Sequence, residues 1–501
     1  MTPPTRVKIA AGPSRHIYDV IVLGGQLGGP LAGALLQKRG YRVLLIEHDG
    51  LGHGYDHGGY TLPWAPFVAP SLKAMPVVEE VLHELGLNTT IQRALRPHHP
   101  GLQLVLPRHR VDLHADPAKR RAELVREFGE DGAKVDDALS RFCTHHEQSN
   151  AFIQKVQDLP PTGLLGGWSA RREIAKYPEI EALPALDGAT PATQLLGRML
   201  PFVTWLENTD APLARTRPLS QVLHTPNRYP GGREGLRELL VKKLQDLGGH
   251  VLSRDTSDAW VVEQLVFDGD RLKGVQVLQS NNEYASSAVV AATDAGALRR
   301  LVPDKKRHRA LVEMLDGVST RRFLYAVNWV VPTEALPRGM GELLLLDTQD
   351  DLEALLIQVH GARKSSGEED TQSRVVCAGA FVPASVRDLG EPKLEALRKQ
   401  IEGHLDALMP FARSRAVLSS APYLDADSVR GSRLLPHPLL DVDAERYAGV
   451  SGLSPKTPLK NLFVASREVL PGLGLEGELM AGVRAARLVH ELLNKSKPIR
   501  R

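Results

Sequence analysis

Cysteine is almost missing from this chain: Cys143 and Cys377 are the two thiols in 501 residues. Two thiols so far apart exclude a disulfide framework and a cysteine-based metal site, and they suit a reducing compartment. Aromatic residues make up 5%, and no charge excess exists, with 62 Lys and Arg against 59 Asp and Glu for a formal net charge of +3. That balance leaves out a nucleic-acid partner. No apolar run reaches the roughly 18 residues of a membrane-spanning helix. The first 17 residues are polar, contain proline and lack the apolar centre of a secretory signal, so they read as a flexible leader. A cytoplasmic location follows, with contact at a membrane surface as a further option. Basic runs at Lys119-Arg120-Arg121, at Lys305-Lys306-Arg307 with Arg309, and from Lys495 to Arg501 read as solvated surface or as contacts for an acidic partner.

What the chain does contain begins at residue 18, YDVIVLGGQLGGPLAGALLQKRGYRVLLIE. Asp19 to Leu23 is short, branched and apolar on both faces, as a strand inside a parallel sheet should be. Gly24, Gly25, Gly28, Gly29 and Gly33 then occupy a turn and one face of a helix that runs to about Arg39 and ends at Gly40. Arg42 to Ile46 is the next strand, closing on Glu47, 23 residues after Gly24, where a ribose hydroxyl would be caught. The unit follows the G-x-G-x-x-G pattern of dinucleotide binding, except that Gln26 stands at the second glycine. That side chain either turns aside and hydrogen-bonds the ligand, or fills the space the phosphates need.

His48, His53 and His57 lie within ten residues of a glycine-rich loop, but the carboxylate support of a metal site is thin and no metal is assigned. Helical periodicity covers 72–86, 117–128 and 133–158, and the stretch 159–230 carries apolar pieces at Gly163–Trp168 and Leu195–Phe202. These pieces form a helical core, line an apolar cavity or touch a membrane. His98-His99 and His145-His146 read as loop and helix-surface residues. A turn at Tyr229–Gly235 feeds a helix, Asp268-Gly269 marks a hairpin between strands near 259–266 and 272–279, and Ala288–Ala292 returns the chain to its first sheet. Alternating strands fill most of 305–425. Finally Leu462–Ala465 leads through a second glycine turn, Pro471–Gly477, into a long helix, adding backbone N–H groups for the same anionic ligand.

In order and spacing, GGQLGG with Glu47, the GGYTL loop, YPGGREGL before GGHVL, and NLFVAS before PGLGLEG resemble the phytoene desaturase family of FAD-dependent oxidoreductases, relatives of the amine oxidases. The resemblance implies an α/β fold: a Rossmann-like FAD/NAD(P)-binding domain, discontinuous in sequence, with an α+β substrate domain built on an antiparallel sheet. The dinucleotide-binding domain would comprise 18–70 with 229–300 and 455–495, the substrate or cap domain 71–228 with 301–454, and residues 496–501 a basic tail. It further implies FAD held by Gly24, Gly25, Gln26, Gly28, Gly29 and Glu47 at the ADP half, with backbone near Ala259 at the adenine. Gly472 and Gly474 would meet the flavin end and Arg467 would stand beside the pyrophosphate. The implied activity is hydride transfer from a long apolar, often polyprenyl, substrate at a membrane surface, with no catalytic residue assigned. Gln26, the Gly52-His-Gly-Tyr55 loop without the family's arginine, and Ala465-Ser-Arg-Glu468 all depart on the cofactor side. They support the alternative of a flavin-free descendant that serves as a binding or scaffold protein for a protein partner.

Overall fold

The computed structural model describes residues 15–48, 52, 54–156, 158–178, 190–224, 226–254, 260–278, 283–426, 437–443 and 447–493. The expected leader up to residue 14, the tail, His53 and Ala259 lie outside these residues.

The first sheet has seven strands. Strand β1 (Arg15–Leu23) runs into a glycine turn, helix α1 (Gly28–Lys38) and strand β2 (Val43–Ile46). The chain leaves the sheet and returns through helix α2 (Gly232–Asp246) to β3 (His250–Leu252). A hairpin of β4 (Val262–Asp268) and β5 (Arg271–Val277) follows, then β6 (Glu283–Ala291) and the short helix α3 (Ala295–Arg300). The last pieces are β7 (Leu462–Val464) and helix α4 (Gly474–Leu493). The path is β4-β5-β6-β1-β2-β3, with β7 pairing β6. β6, β1, β2 and β3 run parallel, as does β7 beside β6, while β4 and β5 are antiparallel. β1 starts at Arg15 rather than at the expected Asp19, because Arg15 to Tyr18 extend the pairing onto Glu283 to Ser286.

Alternation along β1 sets the layers, since successive side chains of a strand point to opposite faces. Val20 and Val22 pack with α1, α2 and α4 through Leu31, Leu240 and Leu479, whereas Ile21 and Leu23 pack with Leu265, Val275 and Leu298. Both faces are covered, so the strand is apolar throughout, as a parallel central strand must be. Helix α4 is buried along nearly its whole length and crosses α1 at a seam of small residues. A Cβ on Gly482 would sit 2.3 Å from the Gly28 carbonyl oxygen.

The second sheet has eight strands. Its centre is the pair Val318–Pro332 and Glu369–Pro383, antiparallel and flanked by Ala354–Arg363 and Leu343–Asp347. Phe323, Tyr325, Val327 and Trp329 face helix Glu391–Leu408, and Leu324, Leu356 and Phe381 face a layer of helices that includes Glu130–Lys155 and Pro212–His224. Leu195, Leu196, Met199 and Leu200 belong to that helical core. His145 and His146, read from the sequence as surface residues, are buried, and so is His98. The reason is that the Glu130–Lys155 helix packs against helices Pro117–Phe128, Pro212–His224 and Pro76–Glu84, so adjacent positions are covered from more than one side. Burial pulls the His146 imidazole down to about 3, with Arg217 acting in the same direction. Among the described residues no helix is long and apolar enough to cross a membrane.

Candidate functional site

The turn after β1 is built for close approach. Gly24 adopts φ +105°, and a Cβ there would lie 2.3 Å from the Ala292 carbonyl oxygen. Its N–H donates to Ile46 at 2.8 Å, fixing the ends of β1 and β2 together. Gly28 is as crowded, with 2.2 Å from a built Cβ to the Ala465 carbonyl oxygen, and Gly29 lies against Ala292 and Val22. Gly25 is buried beside them.

Gln26 does not face an open groove. Only 3% exposed, it donates through Nε2 to Asp294 Oδ1 at 2.8 Å and accepts the Arg467 backbone N–H on Oε1 at 2.8 Å. Its side chain therefore ties the first glycine turn to the loops after β6 and β7. Arg467 places its guanidinium over Trp205, 4.9 Å from the ring centre, with Nε 3.7 Å from Asp294.

The first turn of α1 would ordinarily present free N–H groups to an anion. Here the Leu27 N–H donates to Oε1 of Glu478 at 2.8 Å, and Glu478 is wholly buried. Arg233 Nη2 grips the same carboxylate oxygen, while its Nη1 donates to Glu234 at 2.8 Å. Arg237 donates from Nε to Glu234 at 2.7 Å and from Nη1 to Glu47. Glu47, the expected ribose ligand, is thus held in a buried ion pair. Burial raises its carboxyl above the ordinary range and Arg237 works against that rise.

The second glycine turn is likewise packed against protein. Gly472 donates its N–H to Val450 at 3.0 Å, and a Cβ on Gly474, at φ +55°, would lie 2.0 Å from the Val203 carbonyl oxygen. Behind it, Arg217 and Glu476 form a two-point ion pair, both fully buried. The structure therefore gathers Gly24, Gly25, Gln26, Gly28, Gly29 and Arg467 at one place. Glu47 lies at the neighbouring strand end, and Gly472 and Gly474 lie against the helical layer. The sequence reading passed over Arg233, Glu234, Arg237 and Glu478, which carry most of the charge here.

Tested against the chemistry of its donors, the first turn does not fit the pyrophosphate of FAD. The N–H that would bind it is taken, the position is filled by a carboxylate, and three carboxylates (Glu47, Glu234, Glu478) already face two guanidiniums (Arg233, Arg237). Adding a doubly charged anion would bring like charges together in a buried setting.

An open site lies next to it. A cavity of about 320 Å³ runs between Pro63–Val68, Phe202–Trp205 and Pro230–Glu234, and reaches Gln358, His360 and His437. Its walls are mainly proline, aromatic and branched side chains, as expected of a small-molecule pocket. Gln358 fixes one wall by exchanging two 2.9 Å hydrogen bonds with the Phe67 backbone. His437 donates from Nε2 to the Thr204 carbonyl oxygen, 3.0 Å away; burial lowers its pKa to about 3, and that of His360 to about 4. Both imidazoles are neutral near pH 7. Arg233 lines the cavity and holds Glu478, so one side chain joins the two sites. Among the described residues no group of three or more His, Cys, Asp or Glu could hold a metal ion, and His48 accepts the Val262 N–H instead.

Glu468, beside Gln26's partners, accepts the Ala295 N–H on both oxygens at 2.9 Å. Burial and then Asp294 push its carboxyl up to about 8, against the Ala295 N–H and Arg467. A raised folded-state pKa means that its contribution is complete below the unfolded carboxylate value and is lost as pH rises towards 8. Glu468→Gln should remove that loss, flattening unfolding free energy between pH 5 and about 8 by on the order of a few kcal/mol. Urea unfolding of both proteins across this range checks it; parallel pH profiles would contradict it.

No protein-family model matches this chain, and no curated protein matches it either. Solved structures do. A putrescine oxidase redesigned in its cofactor binding aligns with TM-score 0.56 and 14% identity over 96% of this chain and 100% of the other. Cyclohexylamine oxidase from Brevibacterium oxydans IH-35A gives 0.53 and 15% over 95% and 99%. A RAB GDI from Plasmodium falciparum gives 0.50 and 11% over 97% and 100%. The chain has the fold of these proteins. That agrees with the mixed α/β architecture of FAD-binding oxidoreductases expected from the sequence.

Proposed function

We propose that this chain binds an apolar small molecule in the cavity beside Arg233, on the fold of FAD-binding oxidoreductases, with its first glycine turn held by its own Glu478 in place of a dinucleotide. The observation that carries this reading is the Leu27 N–H donating to a wholly buried carboxylate. A helix N-terminus that is already neutralised has little to offer a phosphate. The cavity supplies the binding function: its walls are largely apolar, with Gln358, His360 and His437 among the polar groups that would orient a guest, and Arg233, Glu234 and Arg363 as charged groups at its edge.

A second reading is a FAD-dependent oxidoreductase of phytoene desaturase type, transferring hydride from a long apolar, polyprenyl-like substrate. It is supported by the ordered glycine motifs and by the fold of the solved oxidases. In that reading the flavin supplies the hydride acceptor, and the chain's residues align the substrate and exclude water. Contact with a membrane surface would accompany it, Trp168, 66% exposed on helix Gly163–Ile174, being a residue suited to an interface. Flotation with liposomes tests that contact.

The purified protein is expected to be colourless and to take up no FAD on incubation; visible flavin bands would reverse the order of the two readings. The cavity is tested with the uncharged fluorophore N-phenyl-1-naphthylamine. Val222→Trp, which fills the cavity from one wall, should weaken its binding at least about tenfold, and unchanged binding would place the guest elsewhere.

A further inference from the structure

We infer that Glu478 is a resident stand-in for a phosphate: its carboxylate satisfies the anion site at the first turn of α1 and keeps free dinucleotides out, so that removing it uncovers a pyrophosphate site. The inference rests on the cofactor-free reading above and adds the residue responsible.

Three observations converge. Oε1 of Glu478 receives the Leu27 N–H at 2.8 Å and a guanidinium N–H of Arg233, the donor pair that would serve a phosphate oxygen. Glu478 is 0% exposed, and its Oε2 has no hydrogen-bond partner among the described residues, nor does Arg233 Nε. The carboxylate thus satisfies the site with one oxygen and leaves donor and acceptor capacity over, as a fragment smaller than the anion the site could take would. Gln26 is committed to protein as well: its amide bridges Asp294 and the Arg467 N–H, so the turn's own side chain makes no claim on the anion site.

Position on α4 gives Glu478 this reach. Gly28 touches the α4 backbone at Glu478, with 2.9 Å between a built Cβ and the Glu478 carbonyl oxygen, so the side chain leaves α4 at the point where the two helices meet. A shorter residue there would not reach the Leu27 N–H. Loss of the carboxylate leaves that N–H and Arg233 Nη2 without their acceptor and brings the network to two carboxylates against two guanidiniums, so an entering anion finds both donors and no excess of negative charge.

The test uses the full chain as wild type, Glu478→Ala and Glu478→Gln. Each is titrated with inorganic pyrophosphate, ADP and FAD by calorimetry and by thermal unfolding. Wild type is expected to bind none of the three at the turn. Glu478→Ala should bind pyrophosphate and ADP at least about tenfold more tightly than wild type and show a ligand-dependent rise in Tm. Adding Arg233→Ala should abolish the gain. Glu478→Gln keeps the shape and removes the charge, so it carries the test if the alanine variant does not fold, with a smaller gain in the same direction. A gain for pyrophosphate and ADP alike marks a phosphate site; a gain for ADP and FAD without pyrophosphate marks nucleoside recognition and overturns the inference. A folded variant with no gain overturns it too, while leaving a colourless wild type consistent with the proposed function. A wild type that takes up FAD overturns both.

Discussion

Arg217→Met is expected to lower the unfolding free energy by about 3–5 kcal/mol. Arg217 is 0% exposed and spends every nitrogen on protein: Nε and Nη2 on the two oxygens of Glu476 at 2.6 and 2.8 Å, and Nη1 on Ser149 at 2.6 Å. Glu476 is also fully buried, and its other partner is Gln221 at 2.9 Å. Methionine fills most of the volume but strands a charge in the interior, and a buried carboxylate without its cation is far more costly than the pair is stabilising. The same reasoning gives the control. Arg217→Met with Glu476→Gln removes both charges and should recover a large part of the loss. Lysine should not rescue, because a single ammonium cannot make the two-point contact. Urea unfolding of the four proteins measures this; a loss below about 1 kcal/mol for the single variant would mean that the pair is solvated.

Gly28→Ala is expected to cost about 3 kcal/mol, at the upper end for an added methyl group. The obstruction is the Ala465 carbonyl oxygen, 2.2 Å from the built Cβ, with the Glu478 carbonyl 2.9 Å away. Both are backbone atoms in a buried seam and cannot swing aside as a side chain would. α1 and α4 would have to separate, breaking the Leu27 to Glu478 hydrogen bond and opening the contact at Gly482. Gly403→Ala supplies the contrast. It lies in helix Glu391–Leu408 with nothing within 4 Å of its built Cβ, and should stabilise by about 0.5–1 kcal/mol through reduced chain entropy. If the two substitutions shifted Tm alike, the seam would not be as tight as its geometry states.

The local units of the fold were legible because their signals are local. The run from Asp19 to Glu47 encodes strand, turn, helix and strand within thirty residues, and β1, α1 and β2 form there. The hairpin at Asp268-Gly269 and the runs around Phe323, Leu343 and Val375 became paired strands for the same reason. The ionic network was not legible, since Arg233 and Glu478 stand 245 residues apart and neither charge looks unusual alone. One signal was available. Glu476 and Glu478 are two residues apart on a helix, about 200° around its axis, with Leu475, Leu479, Met480 and Val483 filling the remaining directions. Both carboxylates could not face solvent at once, so at least one required a buried partner.

The α1–α4 seam also sets an order of events during synthesis. Leu27 and Glu478 are 451 residues apart, so at ribosomal speeds of 5–20 residues per second roughly 20 to 90 s separate their appearance. Throughout that interval α1 has an uncapped first turn and a bare strip of glycine and leucine. The nascent chain must shield that strip, or have it shielded by a chaperone, until its last long helix emerges and locks the amino-terminal sheet.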